Sequence, residues 1–162
     1  LAFSRLGRLE LNLTMVNLES LVYEVIDHFK PEIENRKISW IISGLPIIRG
    51  DKNLIEMVYE NLISNAIKYT SKKDHAIIEI GSTSMSETEY ELFIRDNGAG
   101  FDNAYSDKVF GVFQRLHTAD DFEGIGIGLA NVKQIIEKHS GSVRAEGKIN
   151  EGATIYFTLP KV

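Results

Sequence analysis

The sequence has no cysteine among its 162 residues, and this absence excludes disulfides, thiolate catalysis and cysteine-ligated zinc together. Basic residues are also in deficit, because 18 Lys and Arg stand against 23 Asp and Glu and leave a formal net charge of -5. A chain of this sign offers no electrostatic support for binding nucleic acid or an anionic membrane. We therefore expect neither as a partner.

Long apolar runs are missing as well. No stretch is long enough to span a bilayer, and no signal peptide is visible. What remains is ordinary for a globular protein: 43% hydrophobic and 25% charged residues, in a chain whose length favours one domain. The first ten residues, LAFSRLGRLE, begin without Met and within a helical pattern, so we expect a fragment of a longer protein.

Helical and strand-like patterns alternate irregularly along the chain. Asn17 and Asp51 are suited to capping the first two helices, and a third helix follows residue 128. Pro31 is expected to kink or end the first helix. The order predicts an α/β two-layer sandwich, in which a mixed sheet is covered on one face by helices. The strand-like segments are KISWIIS, PIIRG, HAIIEIGSTS, YELFIRD, GSVRAEG and GATIYFTLP.

The stretch DNGAGFD follows the strand YELFIR and places Asp96 directly before Gly98 and Gly100. An ionised carboxylate only accepts hydrogen bonds, so Asp96 is suited to the exocyclic amino group of adenine. The glycines would let a flat base lie against the backbone. The alternative is that Asp96, Asn97 and Gly98 form an ordinary turn, which all three residue types favour.

A second candidate lies on the helix that contains NLISNAIKYT. Asn61, Asn65 and Lys68 are spaced three and four residues apart, so they share one helix face beside the apolar stripe. Carbonyl oxygens of Asn are hard ligands that suit magnesium, and Lys68 could reach a phosphate as a point charge. The alternative is that both asparagines make ordinary packing hydrogen bonds.

The third candidate is GIGIGLA, where Gly124, Gly126 and Gly128 precede a helix at the end of a long polar loop. Free backbone amides at a helix N-terminus bind anions, and glycines let phosphate oxygens approach. The spacing differs from the dinucleotide fingerprint, and the lysine of a Walker loop is absent. The alternative is a flexible hinge.

In this order, the motifs resemble those of the ATP-binding catalytic domain of sensor histidine kinases, within the wider family of gyrase, the heat-shock chaperones and MutL-type ATPases. NLISNAIKYT resembles the N box, DNGAGFD and GIGIGLA the two glycine boxes, VFGVFQRLH the phenylalanine box, and GATIYFTLP the closing strand. The resemblance extends from about Val16, and RLHTADDFEGIGIGLA is closest to phytochrome-like sensors.

The resemblance implies a Bergerat ATP-binding fold, with a mixed, mainly antiparallel sheet of about five strands and about three helices on one face. Residues 13–162 would form this domain, and residues 1–12 would be a linker and the tail of the preceding dimerisation helix. The implied cofactors are ATP and Mg²⁺. The implied location is cytoplasmic, as part of a larger sensor.

Residue roles also follow from the resemblance. Asn61 and Asn65 would hold Mg²⁺ against the triphosphate. Lys68 and Tyr69 would contact a phosphate and the nucleotide's edge, and Arg115 would be a further contact to the phosphates. Asp96 would accept the adenine amino hydrogen with support from Thr154. The other implied contacts are Gly98 and Gly100 in the base pocket, Gly124, Gly126, Gly128 and Leu129 at the lid and phosphates, and Phe110 and Phe113 as apolar anchors of the lid.

Phosphoryl transfer is implied over hydrolysis. The hydrolysing branches of the family place a Glu at the position of Asn61 to activate water, and Asn is no base. Glu60 is one residue away and points about a third of a turn elsewhere. The acceptor histidine motif is absent, so a dimerisation and phosphoacceptor domain would receive the phosphoryl group and pass it to a response regulator receiver domain. The alternatives are a degenerate nucleotide-binding module without transfer, or an ATPase.

Overall fold

The computed structural model describes residues 10–83, 86–111 and 128–161. Within these ranges, no helix combines the length and the apolar composition needed to cross a membrane. The helices are α1 (Leu18–Ile33), α2 (Lys52–Tyr69) and α3 (Gly128–Lys138). The strands are β1 (Leu13–Asn17), β2 (Ile38–Ser43), β3 (Ile47–Asp51), β4 (Ala76–Thr83), β5 (Glu89–Asp96), β6 (Val143–Lys148) and β7 (Gly152–Pro160).

The main sheet has five strands in the order β2-β4-β5-β7-β6. β2 and β4 run parallel, and the other neighbours are antiparallel. A parallel pair needs a crossover connection, which here includes α2. The expected α/β sandwich with a mixed, mainly antiparallel sheet is therefore confirmed. β1 and β3 form a separate two-stranded ribbon that the sequence patterns did not predict.

Both predicted helix caps are present. The side chain of Asn17 accepts a hydrogen bond from the Ser20 amide at 3.1 Å, and Asp51 accepts one from the Leu54 amide at 3.1 Å. These bonds satisfy amides that have no partner inside the helix. α1 continues through Pro31 to Ile33, so the helix does not end at this proline, and the alternative expectation of a kink stays a prediction.

The inner face of the sheet packs against the helices and forms the main core. Leu92 and Ile94 of β5 are buried there, while Tyr59 of α2 meets Phe157 of β7 edge to face at 5.7 Å. Alternation along the strands sends their neighbours to the outer face. There the guanidinium groups of Arg95 and Arg144 stack on aromatic rings.

A second apolar cluster lies beyond the end of β5. Phe101, Val109 and Phe110 are buried with Ala145, and Leu129 of α3 packs against them. Phe110 is thus a packing residue, as expected of a lid anchor. The second expected anchor, Phe113, lies outside the described residues.

Candidate nucleotide-binding site

A pocket opens between α2, α3 and the sheet, beside the main core. Its walls are mostly apolar, with the side chains of Asp96 and Asn65 among the polar exceptions. Concave, apolar walls with a few placed polar groups are typical of small-molecule sites. The lining residues are Leu62, Asn65, Ala66, Tyr69, Ile94, Asp96, Gly100, Phe101, Val109, Leu129, Ala153 and Ile155.

Asp96 is the last residue of β5 and lines this pocket. Burial raises the pKa of its carboxyl group to about 6, although the backbone amides of Gly98 and Ala153 act in the opposite direction. The Gly98 amide donates to Oδ1 at 2.8 Å. A carboxylate has about four acceptor positions, so further ones remain for a ligand.

The turn after Asp96 is held by its neighbour. Oδ1 of Asn97 accepts a hydrogen bond from the Ile77 amide at 2.8 Å, and Nδ2 donates to the carbonyl of His75 at 3.1 Å. These bonds tie Asn97 to the start of β4. The turn alternative is supported instead at Asp96, whose Oδ1 accepts from the amide two residues on, as in an Asx turn, and Asp96 also lines the pocket.

The two glycines of this loop are approached by the protein's own backbone. A Cβ at Gly98 would lie 2.3 Å from the carbonyl oxygen of Tyr69, and one at Gly100 would lie 2.0 Å from the carbonyl oxygen of Lys148. Gly100 also has a positive φ of 65°. Gly100 lines the pocket, whereas Gly98 packs under the end of α2. We expected that a bound nucleotide base would be the reason for both glycines. The close approach of the protein's own backbone accounts for the absence of a side chain at each position instead.

Thr154 lies on the opposite face of the sheet from the pocket. β7 pairs Ala153 with Asp96 and Thr154 with Arg95, and Oγ1 of Thr154 accepts a hydrogen bond from Nε of Arg95 at 3.2 Å. The expected support of Asp96 by Thr154 is therefore wrong. Successive side chains of a strand point to opposite faces of the sheet, and the residue that pairs with Asp96 is Ala153. Ala153 lines the pocket beside Asp96.

Asn61 and Asn65 lie on consecutive turns of α2. Asn65 lines the pocket, and Asn61 faces the first residue of α3, since a Cβ at Gly128 would lie 3.6 Å from Oδ1 of Asn61. Nδ2 of Asn61 is buried and has no hydrogen-bond partner within the described part of the chain. An unpaired buried amide nitrogen on this half-buried side chain can donate to a neighbour, which leaves Oδ1 as the atom that could bind a cation.

The remaining predicted residues fall into two groups. Lys68 and Tyr69 end α2, where the Lys68 ammonium lies 4.9 Å from the Tyr69 ring centroid. Leu129, the second residue of α3, lies at the pocket wall. The structure thus brings the N box, the first glycine box and the start of α3 around one pocket. Arg115, Gly124 and Gly126 lie outside the described residues.

Glu60 is oriented away from Asn61, as expected. Its carboxylate lies 3.6 Å from Nδ1 of His28, on the side of α2 that faces α1. Together with Glu56, these groups form a partly exposed cluster whose potential ligand atoms lie within 4.8 Å of one another.

Asn131 of α3 was missed by the sequence patterns. It is only 7% exposed, and its Oδ1 has no hydrogen-bond partner among the described residues. The available signal was a carboxamide one turn after Gly128, on a helix whose neighbouring positions Val132 and Ile135 are fully buried.

A half-buried acid that lines a mostly apolar cavity suits an adenine nucleotide, and the class defined here is an ATP-binding α/β sandwich domain. The family description "Histidine kinase-, DNA gyrase B-, and HSP90-like ATPase" matches residues 50–162. The chain belongs to this family.

The most similar relatives include sensor proteins from bacteria and archaea. Cyanobacterial phytochrome A of Nostoc sp. (strain PCC 7120) is 35% identical over 160 residues, which cover 99% of this chain and 21% of that protein. The methanogenesis regulatory histidine kinase FilI of Methanothrix harundinacea is 35% identical over 161 residues, which cover 99% and 18%. The chain thus spans about a fifth of the length of these relatives.

Solved structures agree with this family. Full-length ShkA in complex with AMPPNP superposes with a TM-score of 0.80 at 26% identity, covering 98% of this chain and 33% of that one. The nucleotide-free catalytic domain of histidine kinase ThkA superposes with a TM-score of 0.76 at 26% identity, covering 93% and 98%. The expected resemblance to histidine kinase catalytic domains is confirmed.

Proposed function

We propose that this chain binds Mg-ATP and transfers the γ-phosphoryl group to a histidine on the dimerisation domain of a sensor kinase. The observation that supports ATP binding most directly is the half-buried carboxylate of Asp96 at the wall of a mostly apolar pocket. Its acceptor positions favour the amino group of adenine over the carbonyl that guanine presents at the same edge.

The residues around the pocket divide the remaining work. Tyr69, Leu129 and Ile155 cover the base and exclude water. Asn61 and Asn65 would hold Mg²⁺ through their side-chain oxygens, and Lys68 and Arg115 would serve the phosphates. When bound, the cation neutralises phosphate charge and fixes the orientation of the triphosphate. Gly124, Gly126 and Gly128 would leave room for the phosphate oxygens.

Transfer is favoured over hydrolysis by the orientation of α2. Asn61, which faces α3, has no basic group, and the carboxylate of Glu60 lies beside His28 on the α1 side. Neither residue therefore offers a general base at the phosphate end of the pocket. A degenerate module without transfer is less well supported, because Asn65 and Asp96 remain at the pocket.

The partners follow from this function. We propose residues 13–162 as the catalytic domain and residues 1–12 as a connection to a dimerisation and phosphoacceptor domain. That domain would supply the histidine, and a response regulator receiver domain would take the phosphoryl group from it. A cytoplasmic location is part of the same proposal.

The test is nucleotide binding with and without magnesium. The wild-type chain is expected to bind ATP, more tightly with Mg²⁺ than with EDTA. Asn65→Ala should lose the magnesium enhancement, while Ser64→Ala, a change at the exposed neighbouring position, should keep it. A wild-type chain that binds no ATP would overturn the proposal.

A further inference from the structure

On the facing helices α2 and α3, the half-buried carboxamide of Asn61 and the buried carboxamide of Asn131 each have one buried atom without a partner among the described residues. Nδ2 of Asn61 and Oδ1 of Asn131 are both buried, and neither has a hydrogen-bond partner in the ranges that the structure describes. One atom is a donor and the other is an acceptor. Buried polar groups of native proteins are nearly always paired, so two unpaired and complementary atoms require an explanation.

The packing of α2 against α3 places the two residues near the same level of the helix pair. Gly128, at the start of α3, faces Asn61, and His139, just after its end, contacts the amide of Asp51 before α2. The two helices therefore run antiparallel. Asn131 lies one turn from Gly128, toward the start of α2.

Side-chain direction completes the geometry. Side chains on a helix lean toward its N-terminus. Asn61 therefore leans toward the start of α2, and Asn131 leans toward the start of α3. Because the helices are antiparallel, the two carboxamides converge. Their terminal torsions are soft, so a rotation of either group costs little.

We propose that Asn131 is a positioning residue for Asn61: its Oδ1 accepts a hydrogen bond from Nδ2 of Asn61, directly or through one water, when Mg-nucleotide is bound. This inference rests on the proposed function. A carboxamide has a donor end and an acceptor end, and only the oxygen ligates a cation. Pairing Nδ2 with Asn131 leaves Oδ1 of Asn61 directed to the metal.

The test uses substitutions that keep the shape of residue 131 and change its polarity. Asn131→Leu removes the acceptor, whereas Asn131→Asp keeps acceptor oxygens at the same distance from the backbone. Affinity for AMPPNP is measured by calorimetry with saturating Mg²⁺ and with EDTA. The control is Asn53→Leu, which changes an exposed asparagine of the same helix α2.

We expect Asn131→Leu to lower affinity about fivefold to tenfold in magnesium and to leave affinity in EDTA unchanged, as for the loss of one hydrogen bond. Asn131→Asp should retain most of the magnesium enhancement, and Asn53→Leu should retain all of it. A structural role alone would change the melting temperature without changing the ratio of the two affinities.

A second measurement does not depend on the folding of any variant. In the wild-type chain, Mg-AMPPNP should slow hydrogen exchange of the Asn61 side-chain amide, observed by NMR, more than metal-free AMPPNP does. Equal exchange in the two complexes would overturn the inference, as would full magnesium enhancement in Asn131→Leu. Absence of any magnesium enhancement in the wild type would instead count against the proposed function.

Discussion

At the scale of single residues, Asp96 is the group on which the proposed selectivity for adenine depends. Asp96→Asn replaces a pure acceptor with a mixed group and removes charge assistance from the bond to the adenine amino group. We expect ATP affinity to fall about tenfold or more, on roughly 1.5–3 kcal/mol for a hydrogen bond to a charged group. Titration calorimetry measures this loss. Equal affinities for wild type and variant would remove Asp96 from the base site.

The same carboxylate predicts a pH dependence. Burial raises the pKa of Asp96 to about 6 from the ordinary 3.8, so below pH 6 the nucleotide-free protein protonates this group while the unfolded chain does not. The free energy of unfolding, taken relative to that of Asp96→Asn, should therefore rise as pH falls from 6 toward 4. This relative gain should be absent above pH 6. Urea unfolding of both proteins across this range measures the difference. A constant difference would contradict the raised pKa.

Protonation should oppose nucleotide binding over the same range. At pH 5 a group with a pKa of about 6 is ionised in about one molecule in ten, so affinity for adenosine should be about tenfold weaker than at pH 7.5. Adenosine is the better probe because it has no phosphate to titrate. Asp96→Asn should show no such dependence, and an equally steep profile in that variant would assign the effect to another group.

Gly98, after β5, and Gly128, at the start of α3, differ in what an added side chain would meet. A Cβ at Gly98 would lie 2.3 Å from a backbone oxygen, whereas at Gly128 the nearest atom is Oδ1 of Asn61 at an ordinary 3.6 Å. We expect Gly98→Ala to destabilise the fold by about 2 kcal/mol or more, while Gly128→Ala changes it by no more than about 1 kcal/mol. Urea unfolding tests the contrast, which similar losses in both variants would contradict.

Residue types were predicted more reliably than residue positions. The sequence placed an acid at the end of β5 and a carboxamide on α2, and both line the pocket. It assigned support of Asp96 to Thr154, because strand register depends on pairing that a single strand does not reveal. It also missed Asn131, whose burial results from the contact between two helices distant in sequence.

At the scale of elements, one histidine joins the ends of α2 and α3. His139 is buried, and its Nε2 accepts a hydrogen bond from the amide of Asp51 at 3.0 Å, while Nδ1 lies 2.8 Å from the carbonyl oxygen of Ile135. The imidazole therefore carries its proton on Nδ1 and uses both nitrogens. Asp51 in turn caps α2, so the relative position of the two pocket helices depends on this contact.

Loss of the hydrogen bond between the Asp51 amide and His139 should lower the free energy of unfolding. His139→Leu leaves the amide of Asp51 buried without a partner, and we expect a loss of about 1–3 kcal/mol in unfolding free energy. The control is His75→Leu. His75 is exposed, and its Nε2 shares an exposed hydrogen bond with Oγ of Ser39. Urea unfolding measures both. An unchanged His139→Leu would show that the amide finds another partner.

Element types and caps were well predicted because hydrophobic period and capping chemistry are local. Asn17 and Asp51 begin their helices as expected. The β1–β3 ribbon was not predicted as a sheet, since its two strands are separated in sequence by α1 and β2 and neither shows its partner by pattern. Pro31 was tolerated near the end of α1, where Ile33 is still buried against the core.

At the scale of the whole molecule, the proposed function assigns nucleotide binding and phosphoryl transfer to different domains. Asn65 on α2 and Asp96 at the end of β5 both line one pocket between the helices and the sheet. The histidines of the chain have other surroundings. Buried His139 is hydrogen-bonded at Nε2, His75 lies beside Ser39, and His28 lies beside Glu60, while His117 lies outside the described residues.

We therefore predict that this chain alone binds ATP but neither labels itself nor hydrolyses ATP appreciably, because Asn61 supplies no base and no histidine stands in an acceptor motif. A phosphoacceptor domain from a histidine kinase relative, added in trans, should become labelled weakly, since no tether raises its effective concentration. Incubation with γ-labelled ATP and Mg²⁺, followed by detection of alkali-stable phosphate, measures labelling, and phosphate release measures hydrolysis. Strong labelling of the chain itself, or rapid phosphate release without the acceptor domain, would contradict this separation of binding from transfer.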